Sequence, residues 1–294
     1  MRKIWRFGNR GGARQREPAN DRFVPGAGPD FICIGAQKAG TTWLYWQLSA
    51  HPDFWMPPLK EIHYFNERGN CPIKTWWRTR DERDLCFQEK LQSLGAQFWL
   101  DLTNYGQLFA AKESLLSGDI TPAYSMLPDE IIAMVTRQFP EAKVIFLARD
   151  PVERAWSQIS MSVRTGGRIP FDVNDPAEVV RQLLHPLVVQ RSHPSMIVAR
   201  WRRHVAPGQF GLFFFDDLKN QPAELCRSII AFLGGDPDKP GNRIRPADNH
   251  NSGKALPMSK EVRVHLAEFF ARELRACSVE LGGPATDWPS RYGL

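Results

Sequence analysis

The chain has 294 residues, 43% of them hydrophobic and 24% charged, with a formal net charge of +6. This composition is typical of a globular protein, and the length suffices for one substantial core. No apolar run is long enough to span a bilayer and no secretory leader is evident, so we expect a soluble protein that is not secreted. The five cysteines are scattered without metal-ligand spacing, which predicts reduced thiols and no metal site.

Most of the net charge lies in the first 22 residues, which contain seven Arg or Lys residues and only two acidic ones. We predict a flexible basic arm over residues 1–28 and a single domain over residues 29–294. The arm is compatible with a solvated terminus and also with a peripheral contact to anionic lipid, aided by Trp5 and Phe7. We expect a cytoplasmic protein. We expect no nucleic-acid binding, because no recognisable nucleic-acid-binding motif follows the arm.

Strands alternate with helices along the rest of the chain. The run FICIGA predicts a buried strand that leads through a glycine loop into a helix within TTWLYWQLSAHP, which begins at the threonines and ends before Pro52. Residues 66–112 have a weaker pattern, which we interpret as an insertion or helical cap near the site. Further strands are predicted at 115–120, 143–149 and 210–215, and further helices at 129–139, 152–163, 195–205, 223–233 and 259–277. This order predicts a three-layer α/β fold with a mostly parallel central sheet flanked by helices.

The stretch GAQKAGTT is similar to a phosphate-binding loop in which the lysine has moved. Gly35 and Gly40 keep the spacing of GxxxxGK[ST] and Thr42 keeps the hydroxyl, but Thr41 stands at the lysine position and Lys38 lies inside the loop. A glycine loop between a strand and a helix directs backbone N–H groups and the positive end of the helix dipole toward an anion. The pattern predicts an anion site; the simpler alternative is a turn that only connects two elements.

Two further segments carry polar side chains suited to chemistry. In KEIHYF, either Glu61 or His63 has a side chain that can act as a general base, although isolated residues of these types are more often structural. In FLARDPVERAWS, Arg149 follows a strand and Ser157 lies on the next helix, which predicts a second anion site. The alternative for Arg149 is an ion pair with Asp150 or Glu153 that caps the helix.

Together these three segments resemble the sulfotransferase family that uses 3′-phosphoadenosine 5′-phosphosulfate (PAPS), in particular the heparan-sulfate type and its bacterial relatives. GAQKAGTTWL is similar to the family's 5′-phosphosulfate loop, KEIHYF to its KExHFF segment and FLARDPVERAWS to its 3′-phosphate segment. Weaker similarities in GDITPAY, FFFDDL, AFLGG and NSGK extend the resemblance over residues 31–288. Ile120 stands where heparan-type enzymes usually have a lysine, which weakens the case for a heparan-like acceptor.

The resemblance implies a P-loop-like fold and a role for each matching residue. Lys38 would neutralise charge on the bridging oxygen and the transferring sulfuryl group, and Glu61 would be the catalytic base, with His63 supporting it. PAPS would be the co-substrate, and no metal is expected. The residues implied in binding it are Gly35, Gln37, Lys38, Ala39, Gly40, Thr41, Thr42, Trp43, Arg149, Ser157, Ser252, Gly253 and Lys254.

Other functions and the acceptor stay open at this stage. One alternative is a P-loop nucleotide kinase or NTPase using ATP and Mg²⁺; another is a non-catalytic protein that binds PAPS or anionic lipid. A glycan, a small hydroxylated metabolite and a lipid headgroup are all compatible acceptors, by O- or N-sulfation. Candidate acceptor-cleft residues are Trp76, Trp77, Arg78, Arg164 and Arg168.

Overall fold

The computed structural model describes residues 24–67, 80–94, 100–166, 171–183, 186–239 and 256–294. The predicted arm, apart from residues 24–28, lies outside the described residues. The strands are β1 Phe31–Gly35, β2 Gly118–Ile120, β3 Lys143–Ala148 and β4 Phe210–Phe214. The helices are α1 Thr41–Ala50, α2 Glu82–Leu94, α3 Leu102–Gln107, α4 Asp129–Gln138, α5 Pro151–Arg164, α6 Pro176–Leu183, α7 Pro186–Gln190, α8 Pro194–Arg202, α9 Phe215–Asn220, α10 Pro222–Leu233, α11 Lys260–Phe269 and α12 Ala271–Glu280.

The described strands form one parallel sheet in the order β2-β1-β3-β4. Its two central strands, β1 and β3, are almost entirely buried, which explains why their sequences are continuous apolar runs. Each parallel pairing requires a crossover, and helices supply it, so the predicted α/β fold with a parallel sheet flanked by helices is confirmed. From β1 the chain passes to β2 on one side, and from β2 it crosses to β3 on the other side of β1. Open α/β sheets bind ligands at the carboxyl ends of strands at such a switch point.

Several predicted boundaries were wrong. The strand predicted at 115–120 pairs only over Gly118–Ile120, and Leu116 forms an isolated bridge with Phe54. The single helix predicted at 259–277 is two helices, broken at Phe270, whose φ of −95° and ψ of 10° are not helical. Phe270 is buried against the ring of His193, so packing at the break outweighs the helical pattern.

The region with the weaker pattern is helical where it is described, over α2 and α3. Tyr105 of α3 is fully buried and stacks on Tyr64, with ring centroids 5.1 Å apart. This contact joins the region to the KEIHYF segment. Within the described parts of the chain, none of the helices is both long and apolar enough to cross a bilayer.

Candidate active site

The glycine loop joins the end of β1 to the start of α1. Gly40 precedes the helix with a φ of 92°, and no side chain caps it. The positive φ favours glycine here, and a Cβ on Gly40 would lie 2.4 Å from Cδ2 of Leu218, so that side chain would have to move. Thr41 and Thr42 begin the helix, where the first backbone N–H groups have no intrahelical partner. An uncapped helix N-terminus of this kind suits an anion.

Lys38 lies inside this loop and points toward α5. Its Nζ is 3.3 Å from Sδ of Met161, a weak acceptor that does not neutralise the ammonium. Burial lowers the pKa of Lys38, and repulsion from Arg164, Arg149 and Arg154 lowers it further. An anion bound here would relieve that repulsion.

Backbone strain in the described residues is concentrated at the predicted site. Lys38, Glu61 and His63 have φ values of 71°, 65° and 63°, and Glu113 is the remaining described non-glycine residue with positive φ. Such conformations are uncommon outside glycine and persist where the surrounding structure holds them, often at functional sites. The structure therefore holds the three predicted catalytic residues in specific, unfavourable backbone conformations.

Glu61 contacts the basic residues on either side of it. One carboxylate oxygen accepts a hydrogen bond from Nζ of Lys60, and the other lies 3.4 Å from Nε2 of His63. Burial acts to raise the pKa of Glu61, but the hydrogen bond from His63 and the charge of Lys60 outweigh it and lower the pKa to about 2. Glu61 is therefore a carboxylate at neutral pH and a weak base while both contacts persist.

Buried Asp119, in GDITPAY, is connected to the KEIHYF segment by hydrogen bonds. Its carboxylate accepts hydrogen bonds from the hydroxyls of Thr121, Tyr124 and Tyr105 at 2.7, 2.8 and 3.0 Å. The Thr121 hydroxyl also accepts from the backbone N–H of His63 at 3.5 Å. Three hydroxyls thus converge on one buried carboxylate, and Thr121 also accepts from His63, so this network ties β2 and α3 to the strained KEIHYF backbone.

Arg149 directly follows β3, next to the glycine loop. Its Nη1 donates to the carbonyl oxygen of Lys38, and its guanidinium lies 4.2 Å from the ring centroid of Phe215. Nη2 lies 3.5 Å from Glu153, so part of the helix-capping alternative is present. The N-cap of α5 is Asp150, however, which accepts from the backbone of Val152 at 2.9 Å. Arg149 is thus available to a ligand as well as to Glu153.

The C-terminal segment holds the N-terminus of α5 in place. The hydroxyl of Tyr292 donates to Asp150 at 2.9 Å, and Arg291 lies 3.7 Å from the same carboxylate. Burial raises the pKa of Asp150 to about 6 in spite of these contacts. The half-buried Ser157 of the predicted second anion site lies two turns along this helix.

Two site residues were missed from the sequence. Arg154 of α5 is 1% exposed and donates to Ser192 Oγ at 2.9 Å and to the carbonyl of Val188 at 3.1 Å. Arg191 donates to Oε1 of Gln37 at 2.9 Å. Arg154 stands in a segment that the resemblance included, so its position was a usable signal. Arg191 has no local signal, because its contact spans 154 residues of sequence.

The basic side chains around the loop fit an anionic ligand. Nε of Arg149, Nη1 of Arg154 and Nε of Arg191 are buried without a hydrogen-bond partner in the described structure. Burial lowers the pKa of all three guanidiniums, that of Arg154 to about 9. Buried hydrogen-bond donors without partners are costly unless a ligand supplies an acceptor. This set therefore suits a ligand with several negative groups.

Other predicted residues cannot be placed. Ser252, Gly253 and Lys254 lie outside the described residues, as do Trp76, Trp77, Arg78 and Arg168. Arg164, at the end of α5, is described, and its charge acts on Lys38.

Comparison with known proteins is consistent with this geometry. Two curated relatives are a membrane-associated sulfotransferase, kil1, from Dictyostelium discoideum, 32% identical over 46% of this chain, and the human bifunctional heparan sulfate N-deacetylase/N-sulfotransferase 2, 22% identical over 88% of it. The chain spans 23% and 30% of their respective lengths.

A solved structure shares the fold. The sulfotransferase from Alicyclobacillus acidocaldarius is 24% identical, with a TM-score of 0.63 over 88% of this chain and 98% of that one. A sequence model of the sulfotransferase family matches residues 29–238, which include the glycine loop, the KEIHYF segment and Arg149. The chain therefore belongs to the sulfotransferase family.

Proposed function

We propose that this protein transfers a sulfuryl group from PAPS to a hydroxyl or amine acceptor and releases 3′-phosphoadenosine 5′-phosphate (PAP). The observation that carries the proposal is the hydrogen bond from Arg149 to the carbonyl of Lys38, since it brings one residue of each predicted anion site into contact. A donor with a 5′-phosphosulfate and a separate 3′-phosphate has the charges to occupy both. The domain is proposed to comprise residues 29–294.

The donor is proposed to lie along the carboxyl ends of β1 and β3. The first turn of α1, with Thr41 and Thr42, would hold the 5′-phosphate, and Arg149 with Ser157 would hold the 3′-phosphate. The remaining proposed donor-binding residues are Gly35, Gln37, Ala39, Gly40, Trp43, Ser252, Gly253 and Lys254. No Mg²⁺ is required in this scheme, because Lys38 and the arginines supply the positive charge.

Each side chain of the transfer step has a separate task. Lys38 would donate to the oxygen that bridges phosphorus and sulfur, where charge develops as that bond breaks. Glu61 would take the acceptor's proton. Its low pKa makes it a weak base, but the acceptor proton becomes more acidic as the oxygen bonds to sulfur, so proton transfer occurs late in the step. His63 would orient the carboxylate from its position 3.4 Å away.

The alternatives predict different ligands. A nucleotide kinase or NTPase would bind ATP with Mg²⁺, but the lysine is displaced from its usual place in the loop and points to Met161. A binding protein without catalysis would leave Lys38 and Glu61 with no chemical task, although both are held in strained backbone conformations. The sulfotransferase proposal accounts for both features.

The acceptor class and cellular location are open parts of this proposal. A glycan, a small metabolite or a lipid headgroup is compatible with the site. We propose a cytoplasmic, bacterial-type enzyme with a peripheral membrane contact through the basic arm. The arm's share of the net charge supports that contact.

Replacing Arg149 by alanine is expected to remove selectivity for the 3′-phosphate. A charge-assisted hydrogen bond contributes about 1.5–3 kcal/mol, so PAP affinity should fall about ten- to a hundredfold. Affinity for adenosine 5′-phosphosulfate, which lacks the 3′-phosphate, should change little. Isothermal titration calorimetry in EDTA measures both.

Arg227→Ala is the matched control, because Arg227 is an exposed arginine that pairs with Asp238 away from the loop. It should bind both ligands as the wild type does. If Arg149→Ala weakened both ligands equally, Arg149 would not hold the 3′-phosphate.

A further inference from the structure

We propose that Arg191 is a further residue of the transfer site, where it donates to the transferring sulfuryl group, and that Arg154 positions it. This inference rests on the proposed sulfotransferase function and adds to it a residue outside the three motifs.

Arg191 is placed against the glycine loop by tertiary structure. It lies in the turn between α7 and α8, and its Nη1 donates to Oε1 of Gln37 at 2.9 Å. Gln37 is the neighbour of Lys38 in the chain. The guanidinium is thus fixed at the part of the loop that would hold the leaving phosphate and the bridging oxygen.

The same guanidinium also feels the charge of Glu61. Burial lowers the pKa of Arg191, and the negative charge of Glu61 opposes that shift. Arg191 therefore contacts Gln37 of the loop and lies near enough to Glu61 for the two charges to interact. In-line transfer places sulfur between the leaving phosphate and the acceptor, so a cation near both the loop and the predicted base is suited to contact the sulfuryl oxygens.

Arg191 retains a donor suited to the sulfuryl group. Its Nε is buried and has no partner in the described structure. Buried guanidinium donors are normally satisfied, so an orphan donor next to a predicted anion site points to a ligand acceptor. A sulfuryl oxygen is an acceptor of the appropriate charge.

Arg154 fixes the turn that carries Arg191. Its two hydrogen bonds reach Val188 and Ser192, and Ser192 Oγ donates in turn to the Val188 carbonyl at 2.9 Å. Burial lowers the pKa of Arg154, and the positive charges of Arg191 and Arg149 lower it further. Arg154 thus connects α5, which also carries Ser157, to the turn between α7 and α8 that carries Arg191.

The chemistry assigns Arg191 a contact that PAPS makes and PAP does not. In the transfer, a lone pair of the acceptor oxygen forms the new oxygen–sulfur bond, and the bond from sulfur to the bridging oxygen breaks. Its electron pair stays on the 5′-phosphate, and the acceptor proton goes to Glu61. Arg191 would stabilise the sulfuryl oxygens throughout.

The test is calorimetric titration with PAPS and with PAP, in EDTA, of the wild type, Arg191→Gln and Arg191→Lys. Arg191→Gln should lose about tenfold more affinity for PAPS than for PAP, and Arg191→Lys should recover part of that difference. Arg203→Gln is the control, since Arg203 is an exposed arginine paired with Asp129, and it should change neither affinity.

The outcomes separate this inference from the proposed function. Equal losses for PAPS and PAP in Arg191→Gln would mean that Arg191 only supports the loop, and unchanged affinity for both would mean that it contacts neither. Either result overturns the inference and leaves the sulfotransferase proposal standing. A wild-type protein that bound neither PAPS nor PAP would overturn both.

The positioning role of Arg154 has its own test. Ser192→Ala removes one acceptor of Arg154 without burying a new charge, so the variant should fold. Its preference for PAPS over PAP should fall, but by less than in Arg191→Gln. Arg154→Lys should also reduce the preference for PAPS over PAP, and thermal unfolding should confirm that this variant is folded. A folded Ser192→Ala protein with the full wild-type preference would contradict the positioning role.

Discussion

Replacing Lys38 by alanine is expected to lower the rate of sulfuryl transfer by about a thousandfold or more, while PAP affinity falls about tenfold or less. The difference arises because the main contact of Lys38 strengthens as the bridging oxygen gains charge, whereas PAP binding reflects only the ground state. Burial and, to a smaller extent, nearby arginines lower the pKa of Lys38, but an anion in the site would favour its charged form. Single-turnover transfer of labelled sulfate measures the rate, and calorimetry measures the affinity.

Two variants make the Lys38 test specific. Lys38→Met keeps most of the side-chain length without the charge and should be as slow as Lys38→Ala. Lys239→Ala removes an exposed lysine paired with Asp53 and should leave the rate unchanged. Equal losses in rate and PAP affinity would identify Lys38 as a simple phosphate anchor.

Replacing Glu61 by glutamine is expected to reduce the transfer rate by about 10²- to 10⁴-fold with PAP affinity nearly unchanged, because the amide keeps the size of the carboxylate but accepts no proton. The pKa of Glu61 is lowered to about 2, so the carboxylate is ionised above about pH 4. The loss should therefore be uniform from about pH 5 to 8. Single-turnover rates across this range measure it.

Glu67→Gln is the matched control for Glu61. Glu67 lies just beyond the KEIHYF segment, is exposed and accepts a hydrogen bond from Asn66. Its substitution should leave the rate unchanged. If Glu61→Gln were nearly as active as the wild type and His63→Ala inactive, the roles assigned to these two residues would be reversed.

The sequence predicted the local structure around the candidate site where that structure depends on local pattern. The glycine loop, the strand before it and the helix after it follow from apolar runs and glycine spacing, which act over a few residues. Arg149 was placed for the same reason, since it directly follows a buried strand. These local signals brought Lys38 and Arg149 to one edge of a parallel sheet.

Features created by tertiary contacts could not be predicted in this way. The break at Phe270 depends on packing against His193, which lies on another part of the chain. The contact of Arg191 with Gln37 depends on how the turn before α8 approaches the loop. No sequence pattern within either segment predicts these long-range contacts. The arginines around the glycine loop are therefore recognised as a group only in the folded chain.

The most direct test of the central claim follows sulfur from the donor. Purified wild-type protein is incubated in EDTA with PAPS carrying labelled sulfate and a cell extract, with Lys38→Ala in parallel, and the products are separated and identified by mass. We predict that an extract component gains the mass of one sulfate in step with PAP release, and only with the wild type. No transfer from PAPS, together with turnover of ATP that requires Mg²⁺, would contradict the account and favour a nucleotide kinase or NTPase.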